Sequence, residues 1–268
     1  MGGLLTLQSV AHFLRLGGVG NHSDGIVVAH VLPEPVEQYH YLVLYSEDGA
    51  EVNHQPQYPG KEALTVELAK LYPEMNFIGV DIKGARMWTG AKKAIEEGQK
   101  NVAFLRTNIE IIDRFFAADE VQEIWLTFSD PQMKSENSRL TSPMFLERYR
   151  HFLKKGGIIH LKTDSTFLYE YTKAVCEANN LHVLASTSDL YGQDRDSLYS
   201  SDFSSVCGKA AVDALFEVQT FYEQNFLAQG FKINYIAFTI DHDGEFVYPE
   251  FDAAYSATKK PLHNSSGV

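Results

Sequence analysis

Four residues have both the side chain and the position to hold a ligand: Asp81, Asn108, Asp130 and Asp164. Each comes just after a short apolar run: Phe77–Val80, Val102–Leu105, Ile124–Phe128 and Ile158–Leu161. A carboxylate can accept from two vicinal hydroxyls of a sugar, and an amide can read the edge of a base. Asp130 is followed by Pro131 and then by Lys134, Asn137 and Arg139. An acid on a strand tip with cations behind it suits a small-molecule site beside an anionic substrate. A surface loop with scattered charges would read the same way. Asp81 can equally serve as a helix cap, and so can Asn108.

The apolar runs must be strands for this reading to hold. Ile124–Phe128 is unbroken, as in a strand buried on both faces, and Pro131 ends it because proline gives no N–H to a ladder. Helical spacing fills the gaps between strands: Glu62–Leu71, Ala85–Glu97 and Ile109–Phe116. A further helix is predicted from Pro143, capped at Ser142, running to about Lys155 and closed by Gly156-Gly157. Ser165 caps the next, to about Asn179; His182–Ala185 is a strand, residues 189–209 a polar loop, Ala210–Ala228 a helix and Ile233–Ile240 the last strand. Leu4–Leu16 has an amphipathic pattern, Ile26–Val31 and Tyr41–Tyr45 suit strands, and no internal repeat is visible. Strands alternating with helices imply an α/β fold, a mostly parallel sheet with helices on both faces and an antiparallel edge strand. Asp81, Asn108, Asp130 and Asp164 then all fall on the carboxyl edge, where open α/β sheets bind ligands. Trp88, Trp125 and His160 read as core residues.

The 268 residues, 44% hydrophobic and 22% charged, suit one large domain or two small ones. No apolar stretch has the length of a membrane helix. The opening Met1–Thr6 fits the loose myristoylation pattern by chance, and no charged n-region marks a signal peptide. Two cysteines without metal-type spacing imply a cytoplasmic setting and no metal. A net charge of −12 argues against non-specific coating of nucleic acid. Residues 83–162 nevertheless carry 14 Lys and Arg against 10 Asp and Glu, so a nucleic-acid partner must meet that middle section.

Residues 75–240 resemble the bacterial tRNA (guanine-N7-)-methyltransferase family, class I enzymes that use S-adenosylmethionine (SAM). The resemblance is carried by Phe77–Gly84, Asn101–Thr107, and Phe128-Ser129-Asp130-Pro131 with Lys134, Asn137, Arg139 and Leu140. Phe145–Tyr149, Gly156-Gly157, Lys162-Thr163-Asp164 and Thr220–Glu223 continue it in the same order. It implies a Rossmann-like class I methyltransferase fold with a seven-stranded sheet, spanning residues 60–241 between an atypical N-terminal region, 1–59, and an acidic, polar tail, 242–268. It implies a tRNA partner, no membrane, and a monomer or homodimer. Gly60, Asp81, Asn108 and Asp130 would bind SAM, with Asp130 at the reacting centre. Lys134, Arg139, Asp164, Thr220, Phe221, Tyr222 and Glu223 would hold the tRNA.

Two departures stand out. The family's Pro-Asp-Pro is Ser129-Asp130-Pro131 here, and of the glycines expected in the SAM loop only Gly60 stands in the stretch Pro56–Thr65. Two other readings therefore stay open: a catalytically silent RNA-binding protein on the same fold, and a SAM enzyme with another substrate.

Overall fold

The structure, a computed structural model, describes residues 28–29, 40–44, 62–199, 202–252 and 255. The helix expected at Leu4–Leu16, the loop at Pro56–Pro59 and Gly60 lie outside them. In chain order the elements are β1 (Val28–Ala29), β2 (His40–Leu44), α1 (Glu62–Leu71), β3 (Asn76–Asp81) and α2 (Gly84–Glu96). They continue with β4 (Val102–Arg106), β5 (Val121–Thr127), α3 (Pro143–Arg150), β6 (Leu153–Thr163), α4 (Thr166–Ala178) and β7 (Val183–Thr187). Last come α5 (Arg195–Tyr199), α6 (Asp202–Glu217), α7 (Phe221–Ala228) and β8 (Asn234–Thr239).

The described strands form one sheet, in the order β1-β4-β3-β2-β5-β6-β8-β7. The run β4-β3-β2-β5-β6 is parallel throughout, and β1 and β8 are antiparallel to their neighbours. The fold is therefore Rossmann-like α/β. Of the last two strands, β8 is the reversed one and lies between β6 and β7, so the edge on that side is β7. Alternate residues of each central strand feed opposite faces. Phe77, Trp125 and Tyr235 pack with Leu64 and Leu68 of α1 and Leu215 of α6. Ile78, Ile124 and Ile236 pack with Leu146 of α3 and Leu168 of α4. This is the period-two display of a pleated strand buried on both sides. At Gly79 an added Cβ would meet the Phe104 ring at 2.8 Å and Thr65 at 3.0 Å, so α1 packs closely there because the side chain is absent.

Several boundaries differ from the sequence expectations. The helix from Pro143 stops at Arg150, and the chain turns straight into β6. Phe152 and Leu153 are buried, and Val121 N–H donates to Phe152 O, so the sheet claims residues that helical spacing would have kept. Gly156-Gly157 lies within β6, where the register against β5 shifts, rather than closing a helix. The polar loop expected at 189–209 contains α5 and the start of α6. The long helix expected at Ala210–Ala228 is two, because Thr220 caps a new one. Ile109–Arg114 is a 3-10 segment.

β2 lies before residue 60 yet bonds to β3 on one side and β5 on the other. Residues 242–252 pack on the body: Phe246 is buried, Asn179 bonds both ways with the Val247 backbone, and Phe251 meets Phe167 and Tyr171 edge-on. Trp125 is in the core, stacked at 4.1 Å on His160, whose nitrogens meet Glu123 at 3.1 Å and Tyr235 at 2.8 Å. Trp88 is 67% exposed and is not core. Among the described residues no helix is long and apolar enough to cross a membrane.

Candidate active site

The sheet order reverses at β2. From β2 the chain steps outward to β3 and β4, then returns to lay β5 on the other side of β2. Ligands of open α/β sheets bind in the crevice past the strand ends at this switch point. Leu44 of β2 is level with both Val80 and Leu126, so Asp81 and Thr127 stand one residue further on, level with each other. Two strand spacings separate them, about 10 Å. Thr127 is in turn level with Lys162 of β6. Polar side chains thus line one edge at the ends of β3, β5 and β6, on both sides of β2.

Asp81 is buried, and its Oδ1 accepts from Lys83 N–H at 2.9 Å. Asn108 is exposed and caps the 3-10 segment, accepting from Glu110 N–H at 2.9 Å. Asp130 is half-buried, with Oδ1 accepting from Gln132 N–H at 2.7 Å. The backbone around it is strained: Phe128 has φ +49° and Gln132 φ +47°. Bulky residues rarely adopt that region, and such strain concentrates at working sites. Beside Asp130, Thr127 Oγ1 and Ser129 Oγ are buried with no hydrogen-bond partner among the described residues. Spacing alone did not single these two hydroxyls out; their place on the strand before Asp130 could have.

A narrow cleft, too tight as it stands to hold a water molecule, adjoins Thr127 and is lined among others by Phe128, Lys162, Thr220 and Glu223. Lys162 Nζ, buried, pairs with Glu223 Oε1 at 2.6 Å and donates to Leu215 O at 2.9 Å and to the Tyr191 hydroxyl at 3.1 Å. Burial pulls the Lys162 ammonium below its ordinary value, against the opposing pull of Glu223. The Tyr191 hydroxyl also donates to Glu223, and burial pushes its own pKa up. Thr220 and Glu223 form a capping box: Thr220 Oγ1 accepts from Glu223 N–H, and Glu223 Oε2 accepts from Thr220 N–H. The Thr220–Glu223 segment is therefore the start of α7, with Phe221 and Tyr222 in its first turn.

Asp164 and Lys134 are exposed on the same edge. Arg139 is not available there. Its guanidinium is fully buried, bonded to both oxygens of Asp252 at 2.9 and 3.0 Å, and it lies over the rings of Phe167 and Tyr171 at 4.7 and 4.3 Å. Its Nε donates to Pro131 O, so it ties down the loop that follows Asp130. In this arrangement it supports that loop. Among the described residues no group of three or more His, Cys, Asp or Glu could hold a metal ion.

A family model described as "Putative methyltransferase" matches residues 59–205. A tRNA (guanine-N(7)-)-methyltransferase of Bacteroides thetaiotaomicron is 52% identical over 193 residues, 72% of this chain and 70% of that one. The enzyme of the same name from Porphyromonas gingivalis is 49% identical over 194 residues, 72% of this chain and 73% of its own. That of Christiangramia forsetii is 48% identical over 183 residues, 68% and 75%. With these strand tips, and with identity of this extent over two thirds of its length, the chain belongs to the tRNA (guanine-N(7)-)-methyltransferase family.

Proposed function

We propose that this protein transfers a methyl group from SAM to N7 of a guanosine in tRNA, the activity named for its relatives. The observation that carries it is the row of polar tips around the end of β2: Asp81 level with Thr127, and Asp130 just beyond. Two orphaned buried hydroxyls and two carboxylates fit a ligand with a ribose at one end and an amino-acid group at the other. Asp81, oriented by Lys83 N–H, accepts from the ribose hydroxyls. Asn108 spends Oδ1 on its cap and keeps its amide donors for an adenine acceptor. Thr127, Ser129 and Asp130 hold the methionine end. Gly60, by the family resemblance, is the glycine that would let the backbone approach SAM.

SAM supplies a methyl on a sulfonium that leaves as a neutral thioether. Guanine N7 already carries a lone pair, so the chain need not first remove a proton. Its residues must hold the two partners in line, at about 3–3.5 Å, and favour the positive charge that the purine acquires. Asp130 supplies that complement at the reacting centre, and Asp164 supplies it from the substrate side. Lys134 meets a phosphate. The segment of Thr220, Phe221, Tyr222 and Glu223 is the part of the chain that meets the guanosine, with Glu223 held by Lys162. Strands β2–β8 are the seven-stranded methyltransferase sheet, β1 an added edge, and the domain runs from β2 to about residue 252. A cytoplasmic setting suits its two free cysteines.

Incubation with SAM and unmodified tRNA, followed by digestion, tests this reading. 7-Methylguanosine is the expected product. A different methylated nucleoside would give the enzyme another substrate. No heat of SAM binding by calorimetry, with tRNA still bound, would make it a silent RNA-binding protein.

A further inference from the structure

Helix α2 leaves the carboxyl edge directly after Asp81. Its inner face is Met87, Ala91 and Ala94, all buried. One flank faces α1, where Lys93 pairs with Glu67. The opposite flank carries Trp88, Lys92 and Ile95 at i, i+4 and i+7, one stripe along the helix. Trp88 is 67% exposed and Ile95 55%. Burying a large aromatic is strongly favourable, so a tryptophan left in water one turn from a binding edge has its apolar face unused.

The charge around this stripe indicates what covers it. Residues 83–100 hold five Lys and Arg against two carboxylates, in a chain of net charge −12. Lys83 at the head of the helix is exposed, and so is Lys92 beside Trp88. A second copy of this chain, docked through the same stripe by a two-fold axis, would bring two segments of net positive charge together, even with Lys92 beside Glu96 at 3.8 Å. An RNA strand offers phosphates to the lysines and a base face to the indole.

We propose that Trp88 is a stacking platform for an unpaired base of the RNA substrate, outside the pocket that takes the reacting guanosine, with Lys83 and Lys92 contacting the flanking phosphates. This rests on the tRNA-methylating reading above and adds a second point of contact to it. Stacking is tolerant of base identity, so the platform anchors the strand and leaves selection to the pocket.

The chain has two tryptophans, and Trp125 is buried against His160, so solute-accessible emission reports Trp88. Titration with unmodified tRNA should quench that emission and protect it from acrylamide. Trp88→Ala should weaken tRNA binding about tenfold in a filter assay, with SAM affinity unchanged. Trp88→Phe should restore most of the loss. The dependence of log affinity on log salt should keep its slope in Trp88→Ala and lose about one unit in Lys92→Ala. Bound tRNA with unchanged emission, or wild-type affinity in Trp88→Ala, would overturn the platform and leave the reaction standing. Quenching by tRNA without 7-methylguanosine formation would keep the platform and remove the reaction. Failure of tRNA to bind at all would remove both. A dimer that Trp88→Ala converts to monomer would assign the stripe to a second copy instead.

Discussion

The two halves of the carboxyl edge are built differently. On the β3 and β4 side, Asp81 and Asn108 each bond to a backbone N–H two residues on. On the β5 and β6 side, Lys162 bonds across 53 residues to the carbonyl of Leu215, and Arg139 across 113 to Asp252. The first half is a pair of such turns, tied together by Arg106 Nε donating to Ile82 O. The second has one turn of the same kind, at Asp130, and adds pieces drawn from distant parts of the chain and held by buried charge. A ribose or an adenine needs a well-placed acceptor or donor, which a turn provides. A reacting centre must keep its geometry while charge develops, and the long-range half has the strained turn and the interlocked ion pairs to do that.

Cutting one partner from the buried pair tests the contrast most severely. Lys162→Met leaves the Glu223 carboxylate buried beside Tyr191 with its cation gone, and should cost about 3–5 kcal/mol. The urea midpoint reads this if the slope is unchanged. Adding Glu223→Gln, which keeps an acceptor for Thr220 N–H, should recover most of the loss. A single variant as stable as wild type would show that the pair holds nothing together. Asp130→Ala comes next: kcat/KM should fall roughly 10²- to 10³-fold with the unfolding midpoint near wild type. Turnover close to normal would remove Asp130 from the reaction. Asp252→Ala strands the fully buried Arg139 guanidinium, relieved only in part by Glu136 at 3.9 Å and by the rings of Phe167 and Tyr171, and should cost about 2 kcal/mol. Hydrogen exchange should rise in residues 131–139 and 242–252 together; a rise in only one would break the link that Arg139 makes between them.

The same contrast decides what could be read from the chain. Phe77–Val80, Val102–Leu105 and Ile124–Phe128 are apolar runs, and the sheet uses them as strands, the first two to within a residue and the third from three residues earlier, at Val121. Ser165 caps its helix as the local pattern implied, accepting from Leu168 N–H. Thr220-x-x-Glu223 also carries its cap in four letters. A cation after Asp130 fits a phosphate, and nothing near Arg139 in sequence announces Asp252. Helical spacing from Pro143 runs on past Arg150, because the burial of Phe152 depends on strands far away in the chain. Trp88 shows the complementary limit: helical spacing says which residues share a face, and packing decides which face meets the core.

The smallest effect separates a structural role from a ligand role at a single side chain. Asn108 caps the 3-10 segment through Oδ1, and loss of a cap costs about 0.5–1 kcal/mol in a short, exposed element. Asn108→Ala should lower the melting temperature by about 1–4 °C and weaken SAM binding as well. Asn108→Asp keeps an oxygen for Glu110 N–H, so stability should return to wild type. It also removes the amide donors and sets a carboxylate beside the adenine acceptors, so SAM affinity should stay reduced. If Asp restores both properties, Asn108 is a cap alone, and the adenine end of the site must be held by other residues. If Asp restores stability only, even the locally built half of the edge carries ligand chemistry on the same atoms that shape its turns.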